Sequence, residues 1–93
     1  MSTGLDQELA ALLHSAVVHF RLGMAGGGHD ALVQLIDRLL ADLHGGRFGH
    51  VAVNELNILL GEVLAAQQRH DDLYLADLLQ YRLAPLLAPP QPQ

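Results

Sequence analysis

The stretch Asp30 to Gly46, DALVQLIDRLLADLHGG, decides the fold. Its leucines and isoleucine at Leu32, Leu35, Ile36, Leu39 and Leu43 recur at intervals of three and four, the period of one face of an α-helix. Asp30 is an acceptor suited to cap the free amides at a helix start, so the helix is expected to begin there. His44 followed by Gly45 and Gly46 is a stop signal, with a cation-capable ring near the last carbonyls and glycine free to close the cap. Val33 and Leu40 fall outside the main stripe, so this helix is either central or touches something besides its own bundle.

Working outward, Leu5, Leu9, Leu12, Leu13, Ala16, Val17, Phe20 and Met24 describe an earlier helix of the same period. Thr3 and Asp6 have the spacing of a capping box at its start, and Gly23 with Gly26–Gly27–Gly28 is expected to end it as a hinge. A third helix is predicted from about Val51 to Arg69, with Val53, Leu56, Leu60, Val63 and Leu64 facing inward. Asn54, Asn57 and Gly61 fall on a neighbouring face, either as simple polar surface or as a place where a helix backbone comes close to Gly61. A fourth helix starts at Asp71 or Asp72 and carries Leu75, Leu79, Leu83 and Leu86, with a break or kink expected at Pro85 because proline lacks an amide and clashes one turn back. Short connections between four helices favour antiparallel neighbours, hence an all-α, up-down-up-down four-helix bundle made of two helical hairpins. His29–Asp30–Ala31–Leu32 has a faint echo in His70–Asp71–Asp72–Leu73. Residues 1–88 are expected to form one domain, and the proline-rich residues 89–93 a disordered tail.

Composition narrows the function. Of the 93 residues, 51% are apolar, more than one small core of this length needs, so some of the surplus is expected to face another polypeptide. Five arginines, no lysine and a net charge of −5 argue against nucleic acid and against anionic membrane surfaces, both of which demand clustered cations. No apolar run approaches the ~20 residues of a membrane span, and no basic-then-apolar leader opens the chain, so a cytoplasmic location is expected. Absence of cysteine removes disulfides, thiolate nucleophiles and cysteine-held metals.

The remaining polar residues do not assemble a reaction. His14 and His19 are five apart, which is not the i, i+3 or i, i+4 spacing of two ligands on one helix face. His29, His44, His50 and His70 fall at expected helix ends or loops; His44 and His50 can approach each other across the intervening loop, with no carboxylate nearby to complete a ligand shell. Glu55 and Glu62 lack the histidine three residues on that di-iron bundles use. Ser15 is adjacent to His14, and adjacent helical residues do not face each other. No enzyme, cofactor, metal site or small-molecule substrate is therefore expected. Tyr74, Leu78, Tyr81 and Pro85 form a stripe beside the core stripe of the last helix; it is either core or a partner-facing surface, for which tyrosine is well suited.

Residues 72–87 read D-x-x-L-A-D-L-L-x-Y-x-L-x-P-L-L, through Asp72, Leu75, Ala76, Asp77, Leu78, Leu79, Tyr81, Leu83, Pro85, Leu86 and Leu87. This resembles a C-terminal pattern of a functionally uncharacterised group of small all-helical bacterial proteins, some linked to motility loci. Gln80 and Arg82 stand where that pattern has glutamates, which removes an acidic face. The resemblance implies a non-enzymatic protein used like the small helical chaperones of flagellar export, which hold a partner's helix.

The functional expectation is a helical interaction module that self-associates as a homodimer or sequesters an amphipathic partner helix, in the manner of a chaperone or adaptor, through Val33, Leu40, Tyr74, Leu78 and Tyr81. The alternative is a bundle whose histidines make it responsive to metal or pH.

Overall fold

The computed structural model describes residues 7–88. The Thr3/Asp6 capping box, Leu5 and the proline-rich tail lie outside the described residues. Helix α1 spans Gln7–Arg21, α2 Ala25–His44 and α3 Val53–Gln68. A C-terminal helix follows in three joined parts: α4 (Asp72–Asp77), a π-helical turn (Leu78–Leu83) and α5 (Ala84–Leu87). Successive helices run antiparallel as an up-down-up-down bundle of two hairpins, and there is no strand among the described residues.

The first three helices end the same way. The amide two residues past the C-cap bonds back to the third-last helical carbonyl, and the one before it to the second-last: Met24 to His19 and Gly23 to Phe20, Arg47 to Asp42 and Gly46 to Leu43, Asp71 to Ala66 and His70 to Gln67. This closure needs a left-handed residue, supplied by Gly23 (φ +74°), Gly46 (φ +84°) and, without glycine's freedom, His70 (φ +58°).

Helix α2 starts five residues before Asp30, and Gly26–Gly27–Gly28 is helical, not a hinge. Packing overrides local preference here. A methyl group on Gly28 would lie 2.8–2.9 Å from three atoms of the Phe20 ring, and one on Gly27 would overlap the His19 ring. The glycines therefore let α1 and α2 cross closely with Phe20 seated against bare backbone. His29–Asp30 lies inside a helix while His70–Asp71 is a turn, so the sequence echo has no structural counterpart.

The C-terminal helix continues through Pro85 to Leu87. Instead of a break there is a π turn just before the proline, with the Ala84 amide bonded to the Leu79 carbonyl. A proline ring clashes with the carbonyl four residues back, here that of Tyr81, and the wider turn moves that carbonyl aside. The same turn keeps Leu75, Leu79, Leu83 and Leu87, spaced by four, on one buried face. In an uninterrupted α-helix that spacing would drift by about 40° at each step.

The core is contributed by all four helices: Leu9, Leu13, Val17 and Phe20 from α1, Leu32, Leu35 and Leu39 from α2, Leu56, Leu59 and Val63 from α3, and the leucine series of the C-terminal helix. Helix α1 packs between α2 and the C-terminal helix, and α3 packs on the C-terminal helix; α2 and α3 make little direct backbone contact. The bundle is thus closed on three sides and parted on the fourth.

Candidate functional site

Polar pairs fix which flank of each helix faces which neighbour. On α2, Arg38 pairs with Glu8 of α1, while His29, on the other flank, accepts from the Gln67 amide of α3. On α3, Glu62 receives Tyr74 Oη at 3.0 Å and Arg82 Nη1 at 3.3 Å from the C-terminal helix, so the opposite flank of α3 turns toward α2. Leu60, Leu64 and Val53 lie on that flank, and Val33, Ile36, Leu40 and Leu43 continue from His29 along α2 at helical spacing.

These two flanks line the parted side. Val33, Leu40, Val53 and Leu64 are 46–64% exposed, with half-buried Ile36, Leu43 and Leu60 between them and the core. No Asp, Glu or Arg stands among these seven positions. Charges lie at the edges: Asp30 and Asp37 border Val33 and Leu40 on the outer rim of α2, whereas the outer rim of α3 carries the amides Asn54, Asn57 and Gln68. At one end the side opens into a cleft of about 380 Å3 between His29, Leu64, Gln67, Gln68 and His70.

Val33 and Leu40 thus stand on this exposed face. The stripe on the last helix divides. Leu78 is 1% exposed and belongs to the core. Tyr74 is drawn to Glu62 and lies beside Arg69, with the guanidinium 5.9 Å from the ring centre. Tyr81 is exposed on the α1 side, beside Arg21. Arg21 also donates to Gln80 at 2.7 Å and to Asp77 at 3.0 Å, closing the joint between α1 and the C-terminal helix. The three residues therefore do not form one surface. Val53 and Leu64, expected inside, take their place on the outside, because α3 buries Leu56, Leu59, Val63 and Ala66 and α2 does not come close enough to cover the second stripe.

The donation from Tyr74 to Glu62 holds the phenol above the ordinary tyrosine value of 10.0, since ionisation would break that bond; partial withdrawal from water and the charge of Glu62 act in the same direction, against the lesser pull of Arg82 and Arg69.

The histidines are engaged separately. His44 Nδ1 bonds the Leu40 carbonyl at 3.1 Å, and His50 Nε2 bonds the Leu87 carbonyl at 3.1 Å, so the two rings turn to different helix ends. Ser15 and His19, an i, i+4 pair that sequence spacing contains, do meet, with Oγ 3.3 Å from Nδ1. That same nitrogen is 2.7 Å from the Ser15 carbonyl. A carbonyl accepts only, so Nδ1 carries its proton there and cannot take one from the serine hydroxyl. Among the described residues no three His, Asp or Glu side chains converge to hold a metal ion, and no helix is long and apolar enough to cross a membrane.

Asp42 is the one buried charged residue among those described. Its Oδ1 lies 3.4 Å from Arg38 Nε and 3.8 Å from Arg47 Nη1 at the end of α2, a bracing position remote from the α3 flank. Comparison with protein-family models, with curated proteins and with solved structures gives no match.

Proposed function

We propose that this chain is a non-enzymatic helical interaction module whose working surface is the parted side of the bundle, between α2 and α3. The observation that carries the reading is the coincidence of Val33, Leu40, Val53 and Leu64 on one uncharged face, while every ion pair whose partners are both described lies elsewhere. Burying large apolar side chains gains about 25 cal/mol per Å2, and these four leave on the order of 400 Å2 in water. A monomer tolerates scattered apolar residues; a contiguous patch rimmed by polar groups is what protein–protein contacts use. The surface suits an apolar helical face docked lengthwise, in the manner of chaperones and adaptors that hold helices.

Absence of cysteine makes a direct test possible, because any introduced thiol is unique. Ile58 is 64% exposed on the far side of α3 and serves as the control. A benzophenone attached to Leu64→Cys, irradiated in a cell extract of the source organism, is expected to yield covalent polypeptide adducts that Ile58→Cys does not. Equal adduct formation at both positions would show that the face has no special role.

A further inference from the structure

Resting on that reading, we infer that the occupant of the α2/α3 face is a second copy of this chain, seated across a two-fold axis that runs along the groove, so that α2 of each copy lies on α3 of the other. The first ground is charge. The chain carries a net charge of −5, and two copies repel unless the surfaces that meet are free of like charges. The seven central positions meet that condition. A strongly acidic partner helix would find no counter-charge there and would lose hydration without compensation.

The rims give the orientation. A contact between identical faces places the two-fold axis in the plane of contact, either across the helices or along them. An axis across them sets α2 on α2 and brings the Asp30 and Asp37 edges together, acid against acid. An axis along them brings each Asp30/Asp37 edge to the other copy's Asn57/Gln68 edge, where amide N–H groups donate to carboxylates. Because α2 and α3 are antiparallel, with His29 at the start of one beside Gln67 at the end of the other, this arrangement sets Val33 opposite the second copy's Leu64. It also sets Leu43 level with the second copy's Val53, and Leu40 between the second copy's Val53 and Leu60.

The area is sufficient. A stable interface buries roughly 600–800 Å2 per partner. The four exposed side chains supply about half of this, and Ile36, Leu43, Leu60 and the rim amides lie adjacent to supply the rest.

Sedimentation equilibrium on the full chain is expected to give the mass of two chains. Leu40→Glu and Leu64→Glu should each raise the dissociation constant on the order of a hundredfold or more, since each change is felt twice across the axis, with unchanged helical circular dichroism. Ile58→Glu should leave it unchanged. Leu64→Gln is the milder variant should the glutamate disturb folding. In a mixture of Val33→Cys and Leu64→Cys chains, oxidation should form the mixed disulfide in preference to either homodimer. A monomer at all concentrations, a dimer broken by Ile58→Glu alone, or dominant Val33–Val33 disulfides would overturn the proposal. If the chain is monomeric yet the Leu64 photoprobe selectively labels other polypeptides, self-association fails and the interaction module stands. Without selective labelling both fail.

Discussion

The two flanks of α2 were built differently. On the α1 side, Gly27 and Gly28 remove two side chains so that His19 and Phe20 can press against backbone, and Arg38 closes the edge through Glu8. On the α3 side nothing is removed: Val33, Ile36, Leu40 and Leu43 form a full apolar row, and among the described residues no helix covers Val33 and Leu40. Apolar side chains alone therefore do not make a seam. A neighbouring helix must be able to come close, and the close approach in this bundle was provided by glycine on one flank only. The same chemistry yields core where the backbone admits a neighbour and surface where it does not.

The most forceful way to break this contrast is at Gly28. Gly28→Val places a branched side chain where the Phe20 ring already sits, and the ring is in the core and cannot swing into solvent. Overpacking of this kind costs about 2–3 kcal/mol, less a few tenths recovered because valine is a better helix former than glycine. For a chain of this length the melting temperature should fall by about 10 °C or more. An unchanged melting curve would mean that α1 and α2 do not cross where the glycines place them.

Gly61 offers the opposite case. It lies in mid-helix on the outer rim of α3, and a methyl group there meets nothing within 4 Å. Gly61→Ala should therefore return close to the full difference in helix propensity, about 0.8–1 kcal/mol, and raise the melting temperature by roughly 4–8 °C. The measurement belongs at a concentration low enough to keep the chain dissociated. A loss of stability would show that another helix already approaches Gly61 and that the parted side is closed. Two glycines inside helices should thus respond to added bulk with opposite signs, which separates a glycine kept for packing from one that merely leaves space.

Much of this was legible from residues alone. The helical period in 30–46, the His44–Gly45–Gly46 stop and the all-helical bundle follow from local rules, and α2 ends at His44 as those rules require. What local rules missed has a common cause. Gly26–Gly27–Gly28 has the composition of a hinge, and its helical state depends on Phe20, eight residues before Gly28. Pro85 reads as a stop, and its accommodation depends on a π turn that leaves no compositional mark. Helix α3 carries two apolar stripes, Leu56/Leu59/Val63 and Val53/Leu60/Leu64, and periodicity cannot say which one a neighbour will cover. Val33 and Leu40 stood apart because α2 has one dominant stripe against which they could be judged; Tyr74, Leu78 and Tyr81 could not be sorted, since the π turn changes which residues share a face. The i, i+4 pair of Ser15 and His19 goes unread in the sequence, where Ser15 is set only against adjacent His14, and the carbonyl at Nδ1 shows that the pair is structural.

The smallest effect tests the closed edge of α3, opposite the parted one. There Glu62 accepts from Tyr74 and Arg82, and the phenol is held above its ordinary value of 10.0 chiefly by the bond to Glu62. Because the folded state retains this proton more firmly than the unfolded chain does, the contact contributes in full below the ordinary tyrosine value and is lost as the pH rises through the elevated one. The protein has two tyrosines and no tryptophan, so Tyr81→Phe leaves the tyrosinate absorbance to Tyr74 alone. Its midpoint should lie above 10.0 and move back toward it when Glu62→Gln is added, since a neutral amide accepts more weakly and no longer repels a phenolate. Arg82 loses its partner in the same variant, and this leaves an unopposed cation near Tyr74 that also favours the phenolate, so the two consequences of the substitution act in one direction. A midpoint at the ordinary value, insensitive to Glu62, would mean that α3 is not anchored to the C-terminal helix on this edge, and the rotation that turns Val53 and Leu64 outward would lose its cause.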